Sequence, residues 1–173
     1  MRIAIVIAPK DFRDETVAKA KVMLEKWKVE PVIASYTLKE CVGQHGAVYK
    51  PAMKVQDVRA GDFDALFFVD GSGVDSFKLY DQFPLLDIAR SFSSNGKVVA
   101  GVNNAVKIIA RANIVSGKKV SIPKDAEAER LVRLYRGVVS QEPMECGTNV
   151  MSLNDYGKTD EFVGAILDKL GVR

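Results

Sequence analysis

Gly96-Lys97-Val98-Val99-Ala100-Gly101-Val102-Asn103-Asn104-Ala105-Val106 is the stretch that decides the fold. Its middle is a short apolar strand, and the residues after Val102 open a helix. A strand-to-helix corner of this kind is where many α/β hydrolytic folds present a nucleophile. Here the corner carries Asn103, whose amide is neither nucleophile nor base. The question of function is therefore whether a catalytic group has moved or the chemistry has been given up.

Strand-like and helix-like segments alternate on both sides of this stretch, which predicts an α/β sandwich around a mostly parallel sheet. Residues 3–8 are a continuous apolar run, as expected of a strand covered on both faces. Asp11 or Asp14 can then cap a helix in which Val17, Ala20, Leu24 and Trp27 recur at helical spacing. Residues 31–36 form a second strand. Residues 41–55, with Gly43 and Gly46 between short β-like pieces, read as an excursion of small strands. Residues 65–69 are a third buried strand ending in Asp70-Gly71-Ser72-Gly73, and residues 84–92 are helical up to Asn95-Gly96. Beyond the corner, the pattern predicts a helix to about Arg111, a short strand at 119–122, a helix at 125–134, and strands at 138–139 and 149–153. A closing helix starts near Thr159, where Asp160 and Glu161 favour its positive end. No repeat, low-complexity tract or internal boundary interrupts residues 1–173, which read as a single domain.

Composition narrows the function. A hydrophobic share of 47% with 27% charged residues is that of a globular protein. The net charge of +3 comes from scattered residues without a basic stripe, which argues against a nucleic-acid partner. No run reaches the ~20 apolar residues of a membrane span. The apolar N-terminus ends in Pro9-Lys10-Asp11 without a small-residue cleavage site. The expected location is cytoplasmic, with no membrane partner. Cys41 and Cys146 form no CxxC pair and read as reduced thiols, with a bridge between them as the alternative. One histidine, His45, and no cluster of soft ligands imply no metal and no cofactor.

Three constellations remain. Asp70-Gly71-Ser72-Gly73 is not a dinucleotide fingerprint, because Ser76 stands where the third glycine belongs. It is either a tight turn that needs positive φ or a set of backbone N–H groups facing the Asn103 corner. Asp11, Asp14 and Glu15 follow the first strand and Asp70 the third, at strand ends that converge in a flavodoxin-like sheet. A phosphoacceptor of the receiver-domain kind fits poorly, since the insert between those strands is too long. His45, between Gln44 and Gly46, reads as a loop hydrogen-bonding residue, although any Ser-His or Cys-His pair within the chain would have to use it.

Taken in order, these pieces resemble the ThiJ/PfpI superfamily, the class I glutamine amidotransferase-like fold. Residues 5–16 are similar to the family's opening strand and acidic loop, and Val42-Gly43-Gln44-His45-Gly46 to the excursion of its PfpI branch. Residues 62–73 are similar to its DYDA-strand-PGG segment, with Asp70 in place of proline and Ser72 in place of the second glycine. Residues 96–105 are similar to GKxVAAICHG, and residues 116–121 to GRKxT. The resemblance implies a flavodoxin-like three-layer α/β/α sandwich. It also implies a cysteine nucleophile at the elbow, beside a carboxyl group from the loop after the first strand. On this mapping Glu15 takes the carboxyl position, Asn103 the cysteine position and Asn104 the following histidine position, while the N–H groups of Ser72 and Asn104 correspond to oxyanion donors.

Thiolate chemistry needs a sulfur, which asparagine lacks. The leading expectation is a divergent, non-catalytic homologue that binds a small molecule through Glu15, Gly71, Ser72, Asn103 and Asn104. The resemblance further implies self-association as a homodimer or hexamer. A second expectation is an enzyme acting on small carbonyl or amide compounds with Glu15 as acid and base. A third is a scaffold protein without a ligand. The resemblance also carries inherited labels of intracellular protease, glyoxalase or deglycase, which the residue at the corner argues against.

Overall fold

The computed structural model describes all 173 residues. In chain order the elements are β1 (Arg2–Val6), α1 (Asp14–Lys26), β2 (Glu30–Ser35), β3 (Cys41–Val42), β4 (Val48–Tyr49), β5 (Met53–Lys54) and β6 (Ala65–Phe68). There follow α2 (Ser72–Ser76), α3 (Phe83–Ser94), β7 (Val98–Val102), α4 (Val106–Arg111), β8 (Lys119–Ser121) and α5 (Ala126–Leu134). The chain closes with β9 (Val138–Ser140), β10 (Met144–Cys146), β11 (Val150–Leu153) and α6 (Thr159–Lys169).

Seven strands form the main sheet in the order β10-β11-β7-β6-β1-β2-β5. Every neighbouring pair is parallel except β10 with β11. The side chains of a strand alternate between faces, and the core divides accordingly. Ala4, Val6, Leu66 and Phe68 point into one apolar layer with Leu85, Leu86 and Phe92 of α3 and Leu131 of α5. Ile3, Ile5, Ala65 and Phe67 point into the other, with Val17, Ala20 and Leu24 of α1 and Phe162, Val163 and Ile166 of α6. Helices thus cover both faces of a mostly parallel sheet, the three-layer arrangement of a flavodoxin-like sandwich. No helix is long and apolar enough to cross a membrane.

The excursion after β2 is a β3–β4 hairpin, after which β5 returns to the main sheet at its edge. The late strands β8 and β9 pair only with each other, in a separate parallel ladder. Neither Asp11 nor Asp14 caps α1. Arg13 stands at the N-cap without a side-chain bond. Asp11 adopts φ 60°, and the Asp14 carboxylate instead accepts the N–H groups of His45 (2.9 Å) and Ala47 (2.7 Å), pinning the hairpin to the helix. Cys41 is buried, Cys146 is exposed on β10, and both are free thiols.

Candidate functional site

The strand order reverses its direction of growth at β1 and β6, and the crevice beyond the carboxyl ends of such a pair is the usual ligand position in an open α/β sheet. A cavity of ≈ 300 Å³ lies there, and none of its ten lining residues is hydrophobic. Its walls come from the loop after β1 (Arg13), the hairpin (Gln44), the turn after β6 (Gly71, Ser72, Asp75), the corner after β7 (Asn103, Asn104) and the segment after β8 (Pro123, Lys124, Asp125). A larger groove of ≈ 850 Å³ runs beside the β2–β5 edge, but it is open and walled by Thr37, Leu38, Lys39, Glu40, Lys50 and Lys54. None of these residues comes from the strand ends that converge after β1, β6 and β7, so the smaller cavity is the candidate.

The corner at Asn103 is sharp. Asn103 has φ 51°, in the left-handed region that asparagine tolerates better than most residues. A 3-10 turn, Asn103–Ala105, then feeds α4. Gly101 lets the helix approach the strand: a Cβ there would stand 2.7 Å from Ile109 Cδ1. On the facing turn Gly71 has φ 130°, and a Cβ would lie 2.5 Å from the Asp11 carbonyl and 2.7 Å from the Arg13 nitrogen. The loops after β1 and β6 are thus in backbone contact, joined by Arg13 N–H to Asp70 O (2.8 Å) and Gly73 N–H to Asp11 O (3.0 Å).

The amides of this site are bonded inward. Asn103 donates Nδ2–H to the Asn154 carbonyl (3.3 Å). Asn104 grips Gly71 from both sides, accepting its N–H at Oδ1 (3.2 Å) and donating to its carbonyl from Nδ2 (2.8 Å). The same Nδ2 reaches Asp75 Oδ2 (3.2 Å). The Ser72 N–H, which the resemblance assigns as an oxyanion donor, points to Gln44 Oε1 at 2.6 Å.

Of the five residues singled out from sequence, Gly71, Ser72, Asn103 and Asn104 meet on the cavity wall. Glu15 does not. It is exposed on α1, with Oε1 3.0 Å from His45 Nδ1. Arg13, in extended conformation just before α1, is the residue of this loop that lines the cavity.

Two ionic arrangements flank the cavity. Asp70, fully buried, accepts the Thr16 hydroxyl at Oδ1 (2.7 Å) and Arg13 Nε–H at Oδ2 (2.7 Å). Burial pushes its carboxyl above the ordinary value, while Thr16 and Arg13 pull the other way. The Arg13 guanidinium also lies over the Tyr156 ring, 3.7 Å from its centroid. On the opposite side the buried Lys107 ammonium joins Asp75 Oδ1 and, at 2.8 Å, Asp125 Oδ2. Asp125 is also the N-cap of α5, accepting from Glu127 and Ala128 N–H. Burial alone would lower the Lys107 ammonium, but its two carboxylate partners hold it above the usual range. Burial would likewise raise Asp125, but Lys107 and the helix N–H groups hold its carboxyl below the usual range. No group of three or more His, Cys, Asp or Glu side chains is placed to hold a metal ion.

Arg13, Gln44, Asp75, Lys107 and Asp125 are absent from the sequence-based set. Lys107, alone among Val106, Ile108, Ile109 and Ala110 on a buried helix, was the one visible signal that a counter-charge had to be near.

A profile of the DJ-1/PfpI family matches residues 1–169. The chain belongs to the DJ-1/PfpI family. The crystal structure of a ThiJ/PfpI domain protein from Brachyspira murdochii superposes with a TM-score of 0.92 at 26% identity, covering 99% of this chain and 97% of that one. An uncharacterized protein of Methanocaldococcus jannaschii is 32% identical over 159 residues, 91% of this chain and 77% of the relative. A Pyrococcus furiosus protein named deglycase PfpI is 29% identical over 90 residues, 52% of this chain and 53% of the relative. This DJ-1/PfpI chain therefore has relatives with a named activity, and for the Pyrococcus furiosus protein that similarity extends over half of it.

Proposed function

We propose that this chain is a divergent DJ-1/PfpI homologue whose crevice binds a small polar molecule and performs no cysteine chemistry. The observation that carries the reading is Asn103 at the left-handed corner, its amide donated to the Asn154 carbonyl. In the family mapping this is the cysteine position, so the replacement removes the thiolate that would attack a carbonyl. Further support comes from Gln44, whose Oε1 accepts the Ser72 N–H that an oxyanion would need. A cavity with no hydrophobic residue in its wall suits a small polar ligand.

The deglycase name of the Pyrococcus furiosus relative makes that activity the first to test. Catalysis by Glu15 finds less support, because this carboxyl is exposed beside His45 and is not part of the crevice wall. Purified protein is expected to turn over neither methylglyoxal, methylglyoxal-modified peptides nor small amides above buffer, and Asn103→Ala is expected to behave identically. Robust turnover by the unaltered protein that Asn103→Ala abolishes would overturn the proposal.

A further inference from the structure

We infer that the crevice takes a small polar carboxylate, with Arg13 as the residue that receives the carboxyl group. The inference rests on the ligand-binding reading above and gives it a chemical class. Arginine and carboxylate usually meet through two parallel bonds. Asp70 does not complete such a pair: Arg13 reaches Oδ2 through Nε alone, while Oδ1 takes the Thr16 hydroxyl. The guanidinium makes no other hydrogen bond within the chain, so its terminal nitrogens remain for a ligand. Their position is fixed, since the group is held edge-on by buried Asp70 and face-on by Tyr156. A donor held this way loses little side-chain freedom on binding.

The rest of the wall agrees with this polarity. The two carboxylates across the crevice, Asp75 and Asp125, are both engaged by Lys107, and Lys124 adds a cation at the rim. Asp75 nevertheless keeps about half of its side chain exposed (48%), so it can accept a bond from a hydroxyl on the ligand's far end. A hydroxy acid presents that combination of carboxylate and donor.

The test is a backbone-amide NMR titration with acetate, glycolate and L-lactate, each beside its uncharged amide (acetamide, glycolamide, L-lactamide). The three carboxylates are expected to shift Gly71, Ser72 and Asn104 saturably, and the amides to bind at least about tenfold more weakly. The doubly neutral Arg13→Gln/Asp70→Asn protein strands no charge. It is expected to lose at least about tenfold for the carboxylates and nothing for the amides. Arg13→Lys keeps the charge without the fork and is expected to weaken the carboxylates while preserving the fold. Carboxylates and amides binding equally, or either variant binding carboxylates like the unaltered protein, would overturn the Arg13 assignment and leave the ligand pocket standing. If none of the six probes shifts those resonances, both the assignment and the pocket reading fall.

Discussion

Asp70→Ala is expected to lower the unfolding free energy by about 3–5 kcal/mol, the range found when one partner of a buried ion pair is removed. Asp70 is fully buried and the Arg13 side chain is only 19% exposed, so the Nε–H turned toward Asp70 is left without an acceptor. The Thr16 hydroxyl loses its acceptor in the same step. Because Arg13 N–H and the Asp70 carbonyl also tie the loops after β1 and β6, the damage falls at the crevice. Urea unfolding monitored at Trp27 measures the cost. A change below about 1 kcal/mol, the scale of an exposed pair, would mean that the Arg13–Asp70 contact is dispensable.

Lys107→Met is the second large effect, expected at about 2–4 kcal/mol. It falls toward the lower side for a buried pair because Asp75 keeps a 48% exposed side chain and can hydrate. The network also sets a pH dependence. The folded Asp125 carboxyl lies below its ordinary 3.8, so its stabilisation is complete above that value and is lost as pH falls through the folded one. The folded Lys107 ammonium lies above its ordinary 10.5, so its share is complete below that value and is lost as pH rises through the folded one. Urea midpoints followed from neutral into acid should therefore fall more steeply for the unaltered protein than for Lys107→Met. Parallel acid limbs would show that Lys107 does not depress Asp125.

The fold was legible because its evidence is local and repeated. Residues 3–8, 65–69 and 98–102 are short apolar runs bounded by turn residues, as expected of strands covered on both faces. What escaped was pairing: a three-residue strand such as β8 does not reveal whether it joins the main sheet or β9. At the site, Gly71, Ser72, Asn103 and Asn104 were readable since each follows directly on a buried strand whose end must reach the crevice. Glu15 lies on α1 rather than on the cavity wall: the loop after β1 turns through Asp11 at φ 60°, and the extended Arg13 before the helix is the residue that lines the cavity. Gln44 reaches the site only through the hairpin that Asp14 anchors, a contact no spacing along the chain reveals.

The central claim is that the polar groups around the corner are committed to one another, so that chemistry is absent for more than want of one sulfur. Asn103→Cys tests it most directly, with methylglyoxal consumption measured alongside iodoacetamide labelling of the new thiol. With the Ser72 N–H held by Gln44 and the charged group of the β1 loop on the cavity wall a guanidinium, Arg13, the account predicts a labelled, folded protein with no turnover above the unaltered one. Sustained methylglyoxal turnover by Asn103→Cys, lost on alkylation of that thiol, would contradict it: the crevice would then be a working catalytic frame lacking only its nucleophile.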